Sequence, residues 1–212
     1  MRHSMSSDDW YRNRKWSPSI AEKFEVKLKR ARKKAQYLRI QACCLAETDP
    51  VVALELLNRY FDLDDHFDHA QAYVDRATAL RALGRITDAL SAYEDAIRRE
   101  AEFPNLKTQA YLQLPLLVAS TPVPKKFDRA LQILDESRER VLFPVDKFHW
   151  NAAYALILSR QERNSEASDF AQAALEFAGV EHSGFRYHQK SGLVGEAQRS
   201  LIRDLKLLVN AA

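Results

Sequence analysis

Apolar residues recur along this chain at steps of three and four. Phe24, Leu28, Ala31, Ala35, Leu38, Ala42 and Leu45 form the first such run and predict one amphipathic helix. Ser17 and Pro18 suit its start, since a serine hydroxyl can accept an orphan N–H and proline has none to lose. Asp49-Pro50 ends that run and opens "PVVALELLNRYF". Asp68 stands as the cap of "HAQAYVDRATALRAL", which closes at Gly84, and "TDALSAYEDAIRREA" follows. Phe103-Pro104-Asn105 is the next boundary, with Asn105 as the expected cap. Pro122 and Pro124 break the chain again, and Phe143-Pro144 does so before Asp146. Prolines belong between helices because the ring clashes with the preceding turn and the donor is missing. Pro115 lies inside "YLQLPLLVAS", which predicts a kink or a later helix start. A last stripe, Leu193, Ala197, Leu201, Leu205 and Leu208, predicts a closing helix over about 192–209.

The pattern amounts to about nine helices, eight of them in consecutive antiparallel pairs, and short one-striped helices in a row point to internal repeats. The second helix of each pair shares a phrase. Ala53, Ala89, Ala130 and Ala167 are followed four residues later by Leu57, Tyr93, Leu134 and Ala171. Seven residues on come Tyr60, Ala96, Ser137 and Ala174. Small side chains at these positions let one helix approach its partner closely, so Ala89 and Ala96 are expected to face the other helix of their own hairpin.

The stretch from Ala70 to Pro104 resembles the tetratricopeptide repeat. Tyr73, Ala77, Leu80, Gly84, Ala89, Tyr93 and Ala96 occupy the motif's aromatic, small, large, turn-glycine, small, aromatic and small positions, and Arg76 departs from a large apolar one. Residues 148–179 resemble it through Tyr154, Ala155, Leu158, Ala167 and Ala174. There Asn151 takes an aromatic position and Glu162 replaces the turn glycine. Residues 34–66 match through Tyr37, Ile40, Cys44, Ala53 and Leu57, and residues 105–143 match only with an insertion. "AQYLRIQA" and "HSGFRYH" also look like a group of bacterial tetratricopeptide proteins without an assigned function.

The resemblance implies an all-α, short right-handed solenoid of helix hairpins, with first helices lining a concave groove for a peptide or protein segment. The groove positions it implies are Gln71, Val74, Asp75, Thr78, Arg81 and Ala82 from the best repeat. The fourth repeat would add His149, Ala152, Leu156, Ser159 and Arg160, with Trp150 packed between helices. The first repeat would add Ala35, Leu38, Arg39, Ala42 and Leu45. Leu38 and Ala42 stand where chaperone-tail-binding relatives place Lys and Asn, so no carboxylate clamp is expected. Arg81 and Arg160 are the expected hot spots.

Composition narrows the rest. The chain has 212 residues, 46% hydrophobic and 29% charged, with five glycines. That suits an N-terminal aromatic and basic segment over 1–17, followed by one repeat domain over 18–212 that ends in the capping helix. No apolar stretch reaches the ~18–20 residues of a membrane span, and the start has no apolar signal core. A cytoplasmic protein with no membrane association is expected. Cys43 and Cys44 are neighbours on a helical pattern, too far apart in direction for an unstrained bridge, and are expected as buried reduced thiols.

Charge is uneven. Residues 1–47 hold 12 Lys/Arg against 5 Asp/Glu, although the whole chain is only +3. Lys23, Lys27, Arg30 and Lys34 form a basic stripe on the expected first helix, which makes a nucleic-acid-associated factor the alternative to a protein-binding adaptor. A toxin-neutralising immunity-type protein is a further alternative. Trp10, Tyr11 and Trp16 are expected to fold back and cover the groove when it is empty. The cluster Asp62, Asp64, Asp65, His66, Asp68 and His69 has metal-ligand chemistry without metal-motif spacing. His149, His182 and His188 have no Ser or Cys nucleophile at a recognisable spacing. No enzyme, metal or cofactor is therefore expected.

Overall fold

A computed structural model of the chain describes residues 9–63, 67–121 and 123–211. Ten α-helices and no strand occur among them. The chain divides into two compact units, Met1–Ala110 and Tyr111–Ala212.

The first unit holds α1 (Pro18–Arg30), α2 (Lys34–Leu45), α3 (Pro50–Phe61), α4 (His69–Ala82) and α5 (Ile86–Glu102). The Ser17 hydroxyl accepts the Ile20 N–H at 3.3 Å and opens α1 as expected. The single helix expected across residues 24–45 is instead two, and this raises the count from about nine to ten. The break falls at Ala31, whose backbone is extended and whose N–H turns back to the Leu28 carbonyl. Lys29, Arg30, Arg32, Lys33 and Lys34 crowd this point. Like charges three and four apart disfavour a continuous helix, whereas Lys27, Lys29 and Arg30 suit a helix C-terminus. The apolar stripe survives the break: Phe24 and Leu28 from α1 meet Ala35, Leu38, Ala42 and Leu45 from α2 in one core with Leu56, Leu57 and Tyr60 of α3.

The α4–α5 hairpin closes as its sequence predicts. Gly84 adopts φ +72°, its N–H bonds to the Arg81 carbonyl, and the Arg85 N–H reaches back to the Leu80 carbonyl at 2.9 Å. This is a Schellman turn, and glycine enters the left-handed region without a Cβ penalty. Ala89 and Ala96 are fully buried, as is Ala77. The helix expected to follow Asn105 starts later, at Ala110. Residues 103–109 turn back first, and the buried Glu100 carboxylate accepts the Thr108 N–H at 2.8 Å and its hydroxyl at 2.5 Å. Thr108 then accepts the Ala110 N–H at 3.2 Å.

The second unit contains α6 (Ala110–Ser120, beginning at the boundary), α7 (Phe127–Glu136), α8 (Pro144–Arg160), α9 (Asn164–Ala178) and α10 (Arg199–Ala211). α6 runs through Pro115. Pro144 opens α8, and the Asp146 carboxylate accepts the Phe143 N–H. α8 and α9 form a hairpin around the fully buried Ala152, Ala155, Ala171 and Ala174. α10 covers this hairpin through Leu201, Ile202, Leu205 and Leu208. It begins at Arg199 after a single 3-10 turn, later than the expected 192. Leu193 therefore lies before the helix, and Ala197 is exposed. The connection from α9 is tied down at Gly192 (φ +67°), whose carbonyl accepts the Val145 N–H at 2.8 Å.

Candidate partner-binding faces

In the first unit, α4 presents the expected groove positions beside α2. Gln71, Asp75, Thr78 and Arg81 follow one another at steps of four and three, so they share a face. Asp75 is not an open contact residue. It is buried, and the Arg39 guanidinium donates to it at 3.1 Å from α2 and to Asp68 at 3.1 Å. Gln71 donates to the other Asp75 oxygen at 3.0 Å. Burial pushes the Asp75 carboxyl up, and the Gln71 and Arg39 bonds oppose that rise. Burial works against the Arg39 charge too, but the two carboxylates outweigh it and its pKa is raised. An arginine paired this way acts as a rigid tie between two helices, because breaking one side strands a desolvated charge.

Further along the same face, Arg81 reaches Glu47, in the turn after α2, at 3.2 Å, with both side chains exposed. Thr78 lies between the two ties, and its hydroxyl donates to the Val74 carbonyl at 3.0 Å. The face thus has a fixed polar floor at Arg39, Gln71 and Asp75 and an adjustable rim at Glu47 and Arg81. Sequence reasoning placed Arg39 among the groove residues but missed its two carboxylate partners and missed Glu47. The opposite charges that pair across α2 and α4 lie 29 to 36 residues apart, which no local pattern reveals.

Several expectations are corrected here. Ala35, Leu38, Ala42 and Leu45 do not line a groove; all four are core residues with at most 5% exposure. Asp68 makes no capping bond to α4, because its carboxylate is engaged by Arg39. Cys43 is exposed rather than buried, yet its thiol is pushed up to about 12, by burial of the sulfur and then by the Asp75 carboxylate that it meets. Of the acidic cluster, Asp64, Asp65 and His66 lie outside the described residues. Among the described ones, no group of three metal-binding side chains occurs.

Residues 9–17 do fold back, but onto a different side of α2 from Arg39. The Trp10 ring sits 5.3 Å from Phe24 and 4.8 Å from Tyr37, and Trp16 lies 5.6 Å from Phe24. Gln41 is fully buried beneath them. Its oxygen accepts the Asn13 N–H and side-chain amide at 3.0 and 2.9 Å, and its amide donates to the Asn13 carbonyl at 2.7 Å. Tyr37 and Gln41 are each two residues from an outward-facing neighbour, Arg39 or Cys43, and so about 200° away around the helix. The segment therefore covers the side of α2 away from the Arg39–Asp75 face.

The expected basic stripe is divided between two helices. Lys23, Lys27 and Arg30 belong to α1, while Lys34 is the first residue of α2; all four are exposed. Lys23 and Lys27 border a cleft of about 460 Å³ that includes Trp10, Phe24 and Val26.

In the second unit, α8 carries His149, Leu156 and Arg160 at half-buried or exposed positions, whereas Ala152 is fully buried in the hairpin. Burial holds the His149 imidazole below its ordinary pKa. Trp150 packs between helices as expected. Its indole N–H donates to the Leu134 carbonyl at 3.0 Å, and its ring lies 4.4 Å from Tyr154. Tyr154 in turn stacks on Phe170 at 4.6 Å and bonds to Asp135. His182 and His188 are exposed in the α9–α10 connection.

Among the described residues, no helix is long and apolar enough to cross a membrane. No protein-family model, curated protein or solved structure matches the chain.

Proposed function

We propose that the protein is a binding scaffold, a short right-handed α-solenoid of tetratricopeptide-type hairpins that grips a peptide or protein segment and performs no chemistry. The observation that carries this reading is a recurrence between the two units. The α4–α5 and α8–α9 hairpins close through the same pair of backbone bonds, Arg85 to Leu80 at 2.9 Å and Arg163 to Leu158 at 3.0 Å. Each is followed by an arginine paired with an acid three residues on, Arg85 with Asp88 and Arg163 with Glu166. Each buries its alanines at matching places, Ala77, Ala89 and Ala96 in one, Ala155, Ala167 and Ala174 in the other. Repeated hairpins of this kind offer their first helices to a partner.

In this reading the rim residues Arg81 and Glu47 contact the partner, together with Gln71 and Thr78, while Arg39 and Asp75 hold α2 and α4 in register beneath them. His149, Leu156 and Arg160 are the corresponding contacts on α8. A photo-crosslinking amino acid placed at Thr78 in the native host tests it, with exposed Ser91 on α5 as the control position. The same protein should be crosslinked from Thr78 and not from Ser91, and Arg81→Ala should weaken its capture. Equal crosslinking from Ser91 would place the contact on another surface.

A further inference from the structure

We propose that residues 10–34 of the first unit form a binding surface for single-stranded nucleic acid, centred on the cleft between Trp10 and α1. Residues 12–34 carry ten Lys/Arg against two Glu, and one of those acids, Glu25, is already engaged by Arg59 of α3 at 2.6 and 3.0 Å. Six of the seven arginines in the remainder of the unit follow a different rule, the seventh, Arg76, donating to the Asn58 amide oxygen. Arg39, Arg59, Arg81, Arg85, Arg98 and Arg99 each lie within 4.0 Å of a carboxylate. In contrast, Lys23, Lys29, Arg30, Arg32, Lys33 and Lys34 are all exposed and have no carboxylate partner among the described residues. Cations brought together and left uncompensated repel one another, and a polyanion relieves that repulsion while releasing its own counterions.

Charge alone would suit any polyanion; the cleft is what selects among them. Its volume is about 460 Å³, and Trp10, Ile20 and Val26 line it above the buried Phe24, with Lys23 and Lys27 beside them. The Lys27 ammonium stands 5.9 Å from the Trp10 ring centroid. A largely apolar cleft with the half-buried Trp10 ring on one side and ammonium groups beside it fits a base stacked on that ring with its phosphates on the lysines. Glu22, the one acid in the lining, offers an acceptor to a base N–H. An anionic membrane would call for a row of exposed apolar side chains on α1, and Val26 is the only large one there. A duplex keeps its bases stacked inside and could use only the charges.

The test uses the full chain and a fluorescein-labelled oligouridylate of about 20 nucleotides, long enough to span one such site. Anisotropy should report binding at 50 mM salt, and affinity should fall roughly fifty-fold by 200 mM if about four phosphates are engaged. Lys23→Gln with Lys27→Gln should lower affinity at least about tenfold and reduce the logarithmic salt slope by about 1.4, the loss of two single-strand contacts. Both positions are exposed, so an unchanged melting curve is expected for the double variant. Trp10→Phe, which keeps the ring packing, should weaken binding without changing that slope. The proposal is overturned by absence of binding at 50 mM salt, or by a double variant that binds like the parent. It is equally overturned if duplex RNA, polyglutamate or vesicles containing phosphatidylserine bind as tightly as the oligonucleotide.

Discussion

Glu162 occupies, at the α8–α9 turn, the left-handed backbone position that Gly84 occupies at the α4–α5 turn, with φ of +62° against +72°. Both residues sit two places beyond the last helical residue in the same hydrogen-bond pattern, the Glu162 N–H bonding to Ser159 and the Gly84 N–H to Arg81. The side chain at 162 is therefore carried at a strain that glycine does not incur, on the order of 1 kcal/mol for an L-residue. Glu162→Gly should stabilise the second unit by about that amount, and Gly84→Ala should destabilise the first by about as much. No atom lies within 4 Å of a Cβ built at Gly84, so the second effect would be backbone strain alone. Urea unfolding of the two variants beside the parent checks both signs; a Glu162→Gly protein no more stable than the parent would show that the turn relaxes elsewhere.

Cys43 and Asp75 form a second measurable pair. The exposed thiol is held protonated because its sulfur is partly buried and because it faces the Asp75 carboxylate, which repels a thiolate and accepts a hydrogen bond from the S–H. Asp75→Asn removes the negative charge and leaves a neutral neighbour, so the thiol pKa should fall. Thiolate is the reactive form, so alkylation of Cys43 by iodoacetamide near pH 8 should become faster. The measurement is made in a Cys44→Ser background so that one sulfur reports. A rate unchanged by Asp75→Asn would separate the two groups.

How legible this was from sequence differs by feature. The α4–α5 hairpin could be read almost to the residue, because Gly84, Ala89 and Ala96 are local requirements of a turn and a close helix contact. α3 was equally legible between its two prolyl and acidic boundaries. The break between α1 and α2 was not, since Phe24 to Leu45 keeps a helical period across it and the two helices feed the same core. Periodicity reports which residues are buried, and it is silent on whether the backbone between them is continuous. The roles of Asp75 and Asp68 were hidden for another reason. Each looked like a contact or a cap on its own helix, and only the arrival of Arg39 from α2 turned both into internal ion-pair partners. The resemblance placed Ala35, Leu38, Ala42 and Leu45 on an open face, but α3 and α1 both pack against α2 and leave that stripe inside.

His149 gives the second unit a pH dependence with a defined sign. Its imidazole is half-buried, and this desolvation lowers its pKa from the ordinary 6.5. On acidification the unfolded chain takes up this proton before the folded one does. Stability therefore falls as pH drops through about 6.5 and continues to fall until the lowered folded value is reached; above about 7 the residue contributes no slope. His149→Gln, which cannot charge, should flatten the dependence of the urea midpoint between about pH 7 and pH 5. Parallel curves for parent and variant in that window would mean the imidazole is solvated enough to titrate normally.

The N-terminal segment supplies the strongest test of how the first unit is held together. Trp10, Tyr11 and Trp16 are partly buried against the core built by Phe24, Leu28 and Leu38, and Asn13 makes three hydrogen bonds to the fully buried Gln41. Deleting residues 1–17 would uncover Phe24, Tyr37 and Gln41 together, and would also remove the Ser17 cap from α1. An increase in binding of a hydrophobic dye is expected, with a lower melting temperature. A single change separates the polar contribution from the apolar one. Gln41→Ala leaves the half-buried Asn13 backbone N–H and carbonyl without their Gln41 partner, although the side-chain amide keeps its bond to the Trp10 carbonyl at 2.8 Å, at a cost of about 1 kcal/mol, while the aromatic rings stay in place. It should therefore lower stability with little gain in dye binding, and the deletion should raise dye binding. Since the segment covers the side of α2 away from Arg39, neither change should expose the Gln71–Arg81 face of α4. Crosslinking from Thr78 should then persist in Gln41→Ala; its loss would mean that the segment and the α4 face act as one site.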